Sequence, residues 1–137
     1  MTAVVFDGKV LAADRRIMAG NTVSGSRKKI IKWSEGWFAY AGDVAESLLY
    51  KQYLNEELEN FESDSFHAIV VKNGKVYEAQ PPEFILMPVF IPTGIGSGGS
   101  EAEVLCRVGY TAKEAIAAVC KWNKSCGGKI DTLEVNS

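Results

Sequence analysis

Short apolar runs separated by glycine-containing turns dominate the first half of the chain. Residues 3–13 carry two apolar runs on either side of Asp7-Gly8, and residues 66–79 do the same about an Asn-Gly pair at 73–74. Both central positions of a two-residue hairpin turn need a positive φ, which Asp-Gly and Asn-Gly tolerate well. Each segment is therefore predicted to form a β-hairpin.

The remaining strands are predicted from weaker patterns. Residues 15–29 are basic and rich in Gly and Ser, which is typical of a loop or of short irregular strands. Residues 30–42 have apolar ends about a Ser-Glu-Gly turn and are predicted to form a further hairpin. Prolines interrupt the buried or edge strand predicted over residues 83–93, and residues 129–135 are predicted to close the chain as a strand.

Three helices are predicted between and after these strands. The first begins at Asp43, which forms a potential capping pair with Glu46 three residues later. The second follows the Gly-rich stretch at 94–99, and the third follows Thr111, which can form a capping box with Glu114. Strands that are bunched around helices, instead of alternating with them, favour an α+β fold built in layers.

Length and charge indicate one globular domain over residues 1–137. A chain of 137 residues is long enough for one hydrophobic core and too short for two typical domains. The net charge of -2 gives no reason to expect nucleic acid as a partner. No apolar run reaches the roughly 20 residues of a membrane helix, so no membrane partner is expected either.

Cysteine and histidine usage bears on the compartment and on metal chemistry. The cysteines, Cys106, Cys120 and Cys126, form no CxxC pair, and the N-terminus lacks the pattern of a secretory signal. Reduced thiols in the cytoplasm are therefore expected. The single histidine, His67, argues against a zinc cluster, so no metal or other cofactor is expected. Because His67 lies in a predicted strand, a structural role is expected for it.

The N-terminal Met1-Thr2-Ala3 is a candidate nucleophile site. A small second residue permits removal of the initiator Met, which would free the Thr α-amine. An N-terminal Thr then combines a nucleophilic hydroxyl with an α-amine of usual pKa about 7.7–8.0, a base suited to neutral pH. A Met-Thr start by itself is common in proteins that use no such chemistry.

Two further motifs carry weaker signals. Residues 94–99 satisfy the G-x-G-x-x-G pattern, but the remaining chain is too short for a dinucleotide-binding βαβ unit. A tight turn that exposes Ser97 is therefore expected. The basic run at 27–29 indicates either a solvated face or one lysine buried beside Asp14 and the nucleophile.

Taken together, these segments resemble the proteasome β-type and HslV-type threonine peptidases along nearly the whole chain. The matching pieces, in order, are Thr2 leading a hairpin to Asp14, Gly20-Asn21-Thr22-Val23, Lys28-Lys29-Ile30, Ala41-Gly42, Gly96-Ser97-Gly98-Gly99, and Gly109-Tyr110-Thr111-Ala112-Lys113-Glu114-Ala115. Each piece is short, but their order and spacing match together. The resemblance implies the four-layer αββα sandwich of the N-terminal-nucleophile (Ntn) hydrolases.

The resemblance implies catalytic roles for five residues. Thr2 matches the nucleophile, Lys29 the lysine that favours its deprotonation, and Asp14 the carboxylate that positions this lysine. Gly42 matches the glycine whose backbone N–H stabilises the developing oxyanion. Ser97 matches the serine that hydrogen-bonds near the free α-amine.

The resemblance also implies a pocket for the side chain that precedes the cleaved bond. Its residues would be Ile17, Arg27, Tyr40 and Val44, and Arg16 would extend the catalytic network. Apolar residues mixed with a basic one select no clear specificity.

The implied function is that of a threonine endopeptidase subunit in a self-compartmentalising ring protease. Such subunits form homo-oligomeric rings of six or seven, commonly stacked in pairs, and act on peptides or unfolded proteins. An ATP-dependent unfoldase feeds the ring. No nucleotide motif is present here, so ATP use would belong to that partner.

Two features depart from the family pattern. An aspartate and a serine that order the proteasome site are replaced by Asn123 and Cys126, and Asn123 can hydrogen-bond but brings no charge. The family also has a second long helix where this chain has only residues 62–65, which indicates a shortened version of phage or divergent bacterial kind. Two alternatives remain open, a non-catalytic or latent structural subunit and a small-molecule amidase of the same fold.

Overall fold

The computed structural model describes residues 2–135, so the removal of Met1 falls outside the described residues. The strands are β1 (Val4–Phe6), β2 (Val10–Ala13), β3 (Arg16–Ala19), β4 (Thr22–Ser26), β5 (Ile30–Trp33), β6 (Gly36–Ala41), β7 (His67–Lys72), β8 (Lys75–Ala79), β9 (Met87–Pro88), β10 (Thr93–Ile95) and β11 (Asp131–Glu134). The helices are α1 (Val44–Leu54), α2 (Ser97–Arg107) and α3 (Ala112–Val119).

Two antiparallel sheets carry most of the fold. One has the strand order β10-β1-β2-β11, and the other has the order β5-β6-β7-β8-β9. The strands β3 and β4 form a separate two-stranded ribbon next to the chain turn at the end of β2. The predicted α+β class is confirmed.

Alternation along β1 decides what each face of its sheet contacts. Val4 and Phe6 belong to a buried cluster that also contains Ile69 of the other sheet. Val5 belongs to a different buried cluster, with Ile116 of α3. Successive strand residues point to opposite faces, so one face of this sheet packs on the other sheet and the opposite face packs on α2 and α3.

Aromatic side chains hold α1 against the five-stranded sheet. Tyr50 of α1 is fully buried and meets Phe38 of β6 edge-on, with ring centroids 5.4 Å apart. Phe61 and Phe66, from the segment after α1, pack on Tyr50 at centroid distances of 5.0 and 5.1 Å. Large aromatic rings contribute much buried area and a preferred geometry. They therefore fix the position of α1 and of Gly42 just ahead of it.

The predicted hairpins are observed. The turn at Asn73-Gly74 has a positive φ at both residues, as predicted, whereas in the first hairpin Gly8 has a positive φ, Asp7 does not, and the connection spans residues 7–9. The pairs β1-β2, β5-β6 and β7-β8 occupy the segments 3–13, 30–42 and 66–79, and each pair is antiparallel. The Gly- and Ser-rich segment 15–29 forms the β3-β4 ribbon, with a register shift between Ile17 and Met18.

The helix starts follow the predictions with one difference in detail. Thr111 and Glu114 form the complete capping box at the start of α3. Asp43 occupies the N-cap position of α1, but its side chain makes no capping hydrogen bond. Within residues 2–135, no helix is both long and apolar enough to cross a lipid bilayer.

The strand predicted over residues 83–93 is wrong for most of its length. Within this range, Met87 and Pro88 form β9 at the edge of the five-stranded sheet, and Thr93 begins β10. Beyond β9, Phe90 is 89% exposed. Pro88 and Pro92 lack the N–H that a strand ladder requires, so the pairing cannot continue.

Candidate active site

A buried ion pair joins the end of β2 to the start of β5. Asp14 directly follows β2, and Lys29 directly precedes β5. The Lys29 Nζ atom lies 2.8 Å from the Asp14 Oδ1 atom, with side-chain exposures of 1% and 0%. Charges removed from water need a partner for each lone pair and proton. The surrounding backbone provides those partners.

Four backbone groups complete the hydrogen bonding of this pair. The Asp14 Oδ1 atom accepts from Ala3 N at 3.1 Å, and Oδ2 accepts from Arg16 N at 3.2 Å and Gly127 N at 3.0 Å. Lys29 Nζ also donates to the Arg16 carbonyl at 2.7 Å. Burial lowers the pKa of the Lys29 ammonium below its usual value, although the Asp14 carboxylate opposes this shift.

Thr2 lies next to this ion pair, because its neighbour Ala3 is bonded to Asp14. The residue is 4% exposed, and its carbonyl accepts from Gly98 N at 3.1 Å. A Cβ atom on Gly96 would stand 2.1 Å from the Thr2 carbonyl oxygen, and the φ of Gly96 is +82°. Glycine is therefore required at 96 for both space and conformation, and the tight turn predicted at 94–99 is observed.

Thr2 borders a cavity of about 760 Å³. Five of the predicted site residues line it, namely Thr2, Ile17, Gly42, Val44 and Ser97. The other lining residues are Arg16, Met18, Gly20, Ala41, Asp43, Ser65, His67, Glu78, Gln80, Gly94, Ile95, Gly96 and Ser100. Asp14 and Lys29 are buried and do not line it. A concave space of this size with a few polar groups is typical of a ligand site.

Gly42 stands where β6 ends and α1 is about to begin, on the cavity wall. Its φ is +146°, and a Cβ atom there would stand 2.9 Å from a ring carbon of Phe66. Other residues rarely adopt that φ. Val44, the first residue of α1, continues the same wall.

Tyr40 and Arg27 do not line the cavity. Tyr40 is 1% exposed and stacks on Phe66 with ring centroids 5.7 Å apart. Alternation along β6 is the reason, because Tyr40 faces the aromatic cluster under α1 while its neighbour Ala41 faces the cavity. Arg27 lies exposed between β4 and β5.

Ser97 opens α2 at the cavity edge and contacts Ser125, a residue that the sequence analysis did not single out. The two Oγ atoms are 3.0 Å apart. Ser125 Oγ donates to Asn123 Oδ1 at 2.5 Å, and Ser125 N donates to the same oxygen at 3.0 Å. Cys126, at the position that aligns with the family serine, is instead fully buried against α3.

Sequence patterns gave little signal for several cavity residues. His67, expected to be structural, is the first residue of β7 and lines the cavity. Ser125 sits in the turn after α3, where no periodicity marks it. Arg16, expected to extend the network, donates from Nη1 to the Lys124 carbonyl at 3.0 Å and lines the cavity with its neighbour Ile17.

No group of three or more His, Cys, Asp or Glu side chains within residues 2–135 is placed to hold a metal ion. The described site offers a hydroxyl, an ammonium, a carboxylate and backbone N–H donors. This combination suits acyl transfer to a hydroxyl nucleophile.

Comparison with known proteins supports the same fold. No protein-family model and no curated protein sequence matches the chain. Among solved structures, BPH of Thiobacillus denitrificans in complex with epoxomicin matches with a TM-score of 0.76 and 14% identity, over 100% of both chains. A second structure of that BPH matches with a TM-score of 0.74 and 14% identity over 98% of both chains. Eukaryotic HslV from Trypanosoma brucei matches with a TM-score of 0.74 and 17% identity over 97% of both chains. The chain thus has the fold of HslV-type peptidases.

Proposed function

We propose that this protein is a threonine endopeptidase subunit of a proteasome- or HslV-like ring protease, with Thr2 as the nucleophile after removal of Met1. The observation that carries the proposal is the buried Asp14–Lys29 pair beside Thr2, at the edge of the cavity. Burying two charges is costly, and here the cost is offset by the ion pair itself and by hydrogen bonds to four backbone groups. The pair is linked to Thr2 through the Ala3 N–H, which donates to Asp14, so a fixed positive charge lies close to the segment that carries the candidate nucleophile.

The proposed reaction is acyl transfer in two steps. The Thr2 hydroxyl oxygen attacks the carbonyl carbon of a peptide bond, and the Thr2 α-amine takes the hydroxyl proton. The tetrahedral intermediate collapses to an ester, and the proton passes to the leaving amine of the peptide. A water molecule, activated by the same α-amine, then attacks the ester and regenerates the hydroxyl.

The Lys29 ammonium would favour the deprotonated hydroxyl through its positive charge. Two acceptors, the Asp14 carboxylate and the Arg16 carbonyl, hold Lys29 Nζ at 2.8 and 2.7 Å. Held in this way, the ammonium needs no reorganisation when charge develops on the nucleophile. Asp14 is thus a positioning residue for Lys29.

The remaining assigned residues act around the nucleophile. Gly42 would donate its backbone N–H to the oxyanion, and Ser97 would hydrogen-bond the α-amine. Ile17 and Val44 line the cavity and would contact the side chain before the cleaved bond. Tyr40 supports that wall from the aromatic cluster, and Arg27 belongs to the site only if its exposed side chain turns toward the cavity.

We further propose that the chain is one domain with the four-layer αββα arrangement. Three buried clusters support this, one between the sheets, one under α1, and one under α2 and α3. The subunits would form homo-oligomeric rings of six or seven in the cytoplasm, fed by an ATP-dependent unfoldase.

The proposal is tested by the intact mass of the purified protein before and after exposure to epoxomicin, a peptide epoxyketone. This reagent needs both the Thr hydroxyl and its free α-amine. We expect the loss of Met1 and one adduct per chain, with no adduct on a Thr2→Ala variant.

Other outcomes of the same experiment discriminate between the alternatives. Retained Met1 with no adduct indicates a latent or structural subunit. An adduct without hydrolysis of peptides, but with turnover of small amides, indicates a small-molecule amidase. An unchanged adduct on Thr2→Ala would disprove the assignment of the nucleophile.

A further inference from the structure

The Ser97–Ser125–Asn123 contacts continue outward to a carboxylate on α2. Asn123 Nδ2 donates to Glu101 Oε1 at 3.0 Å. The second carboxylate oxygen accepts from Trp122 Nε1 at 2.9 Å. Glu101 therefore holds two consecutive residues of the turn after α3.

The direction of every hydrogen bond in this network is fixed by its two ends. An ionised carboxylate can only accept, so the Asn123 amide must present its NH2 group to Glu101. The Asn123 oxygen is then left facing Ser125, where it accepts from both the backbone N–H and the hydroxyl. Because the Ser125 hydroxyl proton is used in this way, Ser125 accepts at its 3.0 Å contact with Ser97.

This polarity determines what Ser97 offers to the cavity. Ser97 donates its hydroxyl proton to Ser125, so the lone pairs of its oxygen remain available as acceptors. Ser97 lies between Gly96, which packs on the Thr2 carbonyl, and Gly98, whose N–H donates to that carbonyl. Ser97 and Thr2 line the same cavity. The Ser97 oxygen can therefore accept a hydrogen bond from a protonated α-amine of Thr2.

We propose that Glu101 is a positioning residue of the active site, which orients Asn123 and Ser125 so that Ser97 accepts a hydrogen bond from the Thr2 α-amine. The inference rests on the proposed function. Asn123 carries no charge itself, and Glu101 supplies a negative charge to the network from α2. Hydrogen bonds to charged groups are the stronger ones, so Glu101 reinforces the polarity that the Ser125 N–H, which can only donate, also requires.

Other charged groups near Thr2 would also act on the basicity of this amine. The cations are Lys29, whose partner Asp14 accepts from Ala3 N, and Arg16, on the cavity wall. The anions are Asp14, paired with Lys29, and the cavity residues Asp43 and Glu78, while His67 lies on the same wall. None of these groups is altered when Glu101 is substituted. A change in the pKa of the Thr2 α-amine between wild type and a Glu101 variant can therefore be attributed to Glu101.

The test compares Glu101→Lys with the double variant Glu101→Lys/Asn123→Asp in peptide hydrolysis. Lysine can only donate, so it removes the acceptor of the Asn123 NH2 group and competes with the N–H and hydroxyl of Ser125 for the Asn123 oxygen. We expect kcat to fall about 10-fold with KM within about 2-fold, less than the ~100-fold or more that a general base itself contributes. The acidic limb of the kcat–pH profile should move to lower pH, because the protonated amine loses an acceptor.

The second substitution should restore the wild-type pattern. An aspartate at 123 accepts from the lysine and from both donors of Ser125, so the polarity toward Ser97 returns. We expect the kcat of the double variant to return to within about 2-fold of wild type and its pH profile to return to that of wild type, because two substitutions in one hydrogen-bond network couple and do not simply add. Glu57→Lys, the same charge reversal at an exposed residue outside the cavity lining, is the control and should change neither quantity.

Two results would overturn the proposal: wild-type kcat in Glu101→Lys, or a double variant as slow as the single one while both unfold at the wild-type urea midpoint. If Glu101→Lys does not fold, Glu101→Ala and Glu101→Ala/Asn123→Asp make the same comparison. The latter still supplies an acceptor-only group beside Ser125.

A readout without peptide separates this inference from the proposed function. The rate at which acetic anhydride labels the Thr2 α-amine, measured against pH on samples whose mass shows loss of Met1, reports the pKa of that amine. A downward shift in Glu101→Lys that the double variant reverses supports the network even if the wild type hydrolyses no peptide. An unchanged profile overturns it even if the wild type is an active peptidase.

Discussion

At the scale of single residues, Asp14 and Lys29 contribute to stability and are also proposed to act in catalysis. The carboxylate accepts three backbone N–H groups in addition to Lys29 Nζ, and it is fully buried. Removing the lysine would leave a buried charge with part of its bonding lost. Substituting Lys29 therefore tests both its contribution to stability and its proposed role in catalysis.

We expect Lys29→Ala to lower the free energy of unfolding by about 3–5 kcal/mol, the cost of breaking a buried ion pair. We also expect peptide hydrolysis to fall by ~100-fold or more, because a preorganised charge beside the nucleophile is lost. Urea unfolding and initial rates on the same samples measure both effects. Thr2→Ala is the control, since it should remove activity with an unfolding midpoint close to wild type. A folded Lys29→Ala protein with wild-type turnover would contradict the catalytic role.

The resemblance to a known family indicated most of the candidate site residues. The structure shows which of them lie close to Thr2. Asp14, Lys29 and Ser97 could be named because each stands within a short matching segment. Ser125 could not be named, because its role depends on a turn that lies 28 residues from Ser97 in the sequence. Tyr40 was assigned to the pocket, but the face of β6 to which it belongs is turned toward the aromatic cluster.

At the scale of elements, one side chain connects the first hairpin to the last helix. Asp7 Oδ1 accepts from Lys9 N and Val10 N, each at 2.8 Å, within the β1-β2 turn. Its Oδ2 atom accepts from Ala112 N at 2.8 Å, at the start of α3. Anionic oxygens are favourable at a helix N-terminus. Asp7 therefore docks α3 on the sheet that carries Thr2.

The ionisation of Asp7 gives this connection a pH dependence. Burial opposes ionisation of the Asp7 carboxyl, but three backbone N–H donors outweigh it, so the pKa of Asp7 is below its usual value. A carboxyl with a lowered pKa contributes stability above its unfolded-state pKa and loses it as pH falls through the folded-state pKa. The contribution is therefore complete at neutral pH and disappears in acid.

We expect Asp7→Asn to lower the free energy of unfolding by about 1–2 kcal/mol at pH 7, because Asp7 is partly exposed and its bonds are screened. The difference from wild type should shrink as the pH falls below about 4, where the wild-type carboxyl also becomes protonated. Urea unfolding at a series of pH values measures this. If the difference in free energy of unfolding stays constant with pH, the substitution acts through altered packing and not through loss of the charge.

Local signals predicted the elements best where adjacent residues alone decide. The Thr111–Glu114 capping box and the Asn-Gly hairpin at 73–74 need no partner from elsewhere in the chain. The strand prediction for residues 83–93 failed for most of the segment. Its apolar residues fit a strand pattern, but its prolines lack the N–H groups that pair neighbouring strands. Phe90 consequently lies outside the sheet, with 89% of its surface exposed.

At the scale of the whole molecule, several large apolar side chains lie exposed on the described surface. Ile85, Met87, Phe90 and Ile91 are each more than half exposed along one short segment. Leu48 on α1, at 54%, and Val108 after α2, at 72%, add to them. Large exposed apolar patches on a folded protein often mark contacts with other chains.

We expect the protein to sediment as a closed homo-oligomer of six or seven chains, or as two such rings stacked, at micromolar concentration. Burial of these apolar residues between subunits would supply the driving force. Sedimentation velocity, together with native mass spectrometry, measures the number of chains. A monomer at every concentration tested would reject the ring assembly and leave the Thr2 site to be tested separately with epoxomicin.

The sequence by itself determined the local elements and the identity of the candidate nucleophile. Turns, caps and strand alternation depend on a few neighbouring residues, so they can be recognised without the rest of the chain. The segments that carry Thr2, Asp14 and Lys29 could be identified because they resemble short segments of a known family, in the same order and spacing.

The tertiary structure decided which groups share a site. The N–H of Gly127 reaches Asp14 across 113 residues, and Glu101 reaches Asn123 across 22. Such contacts form when the packing of sheets and helices brings distant backbone together, and no local pattern encodes them. Packing also decided that Ala41 faces the cavity and Tyr40 does not, because a strand can present each residue to one face only.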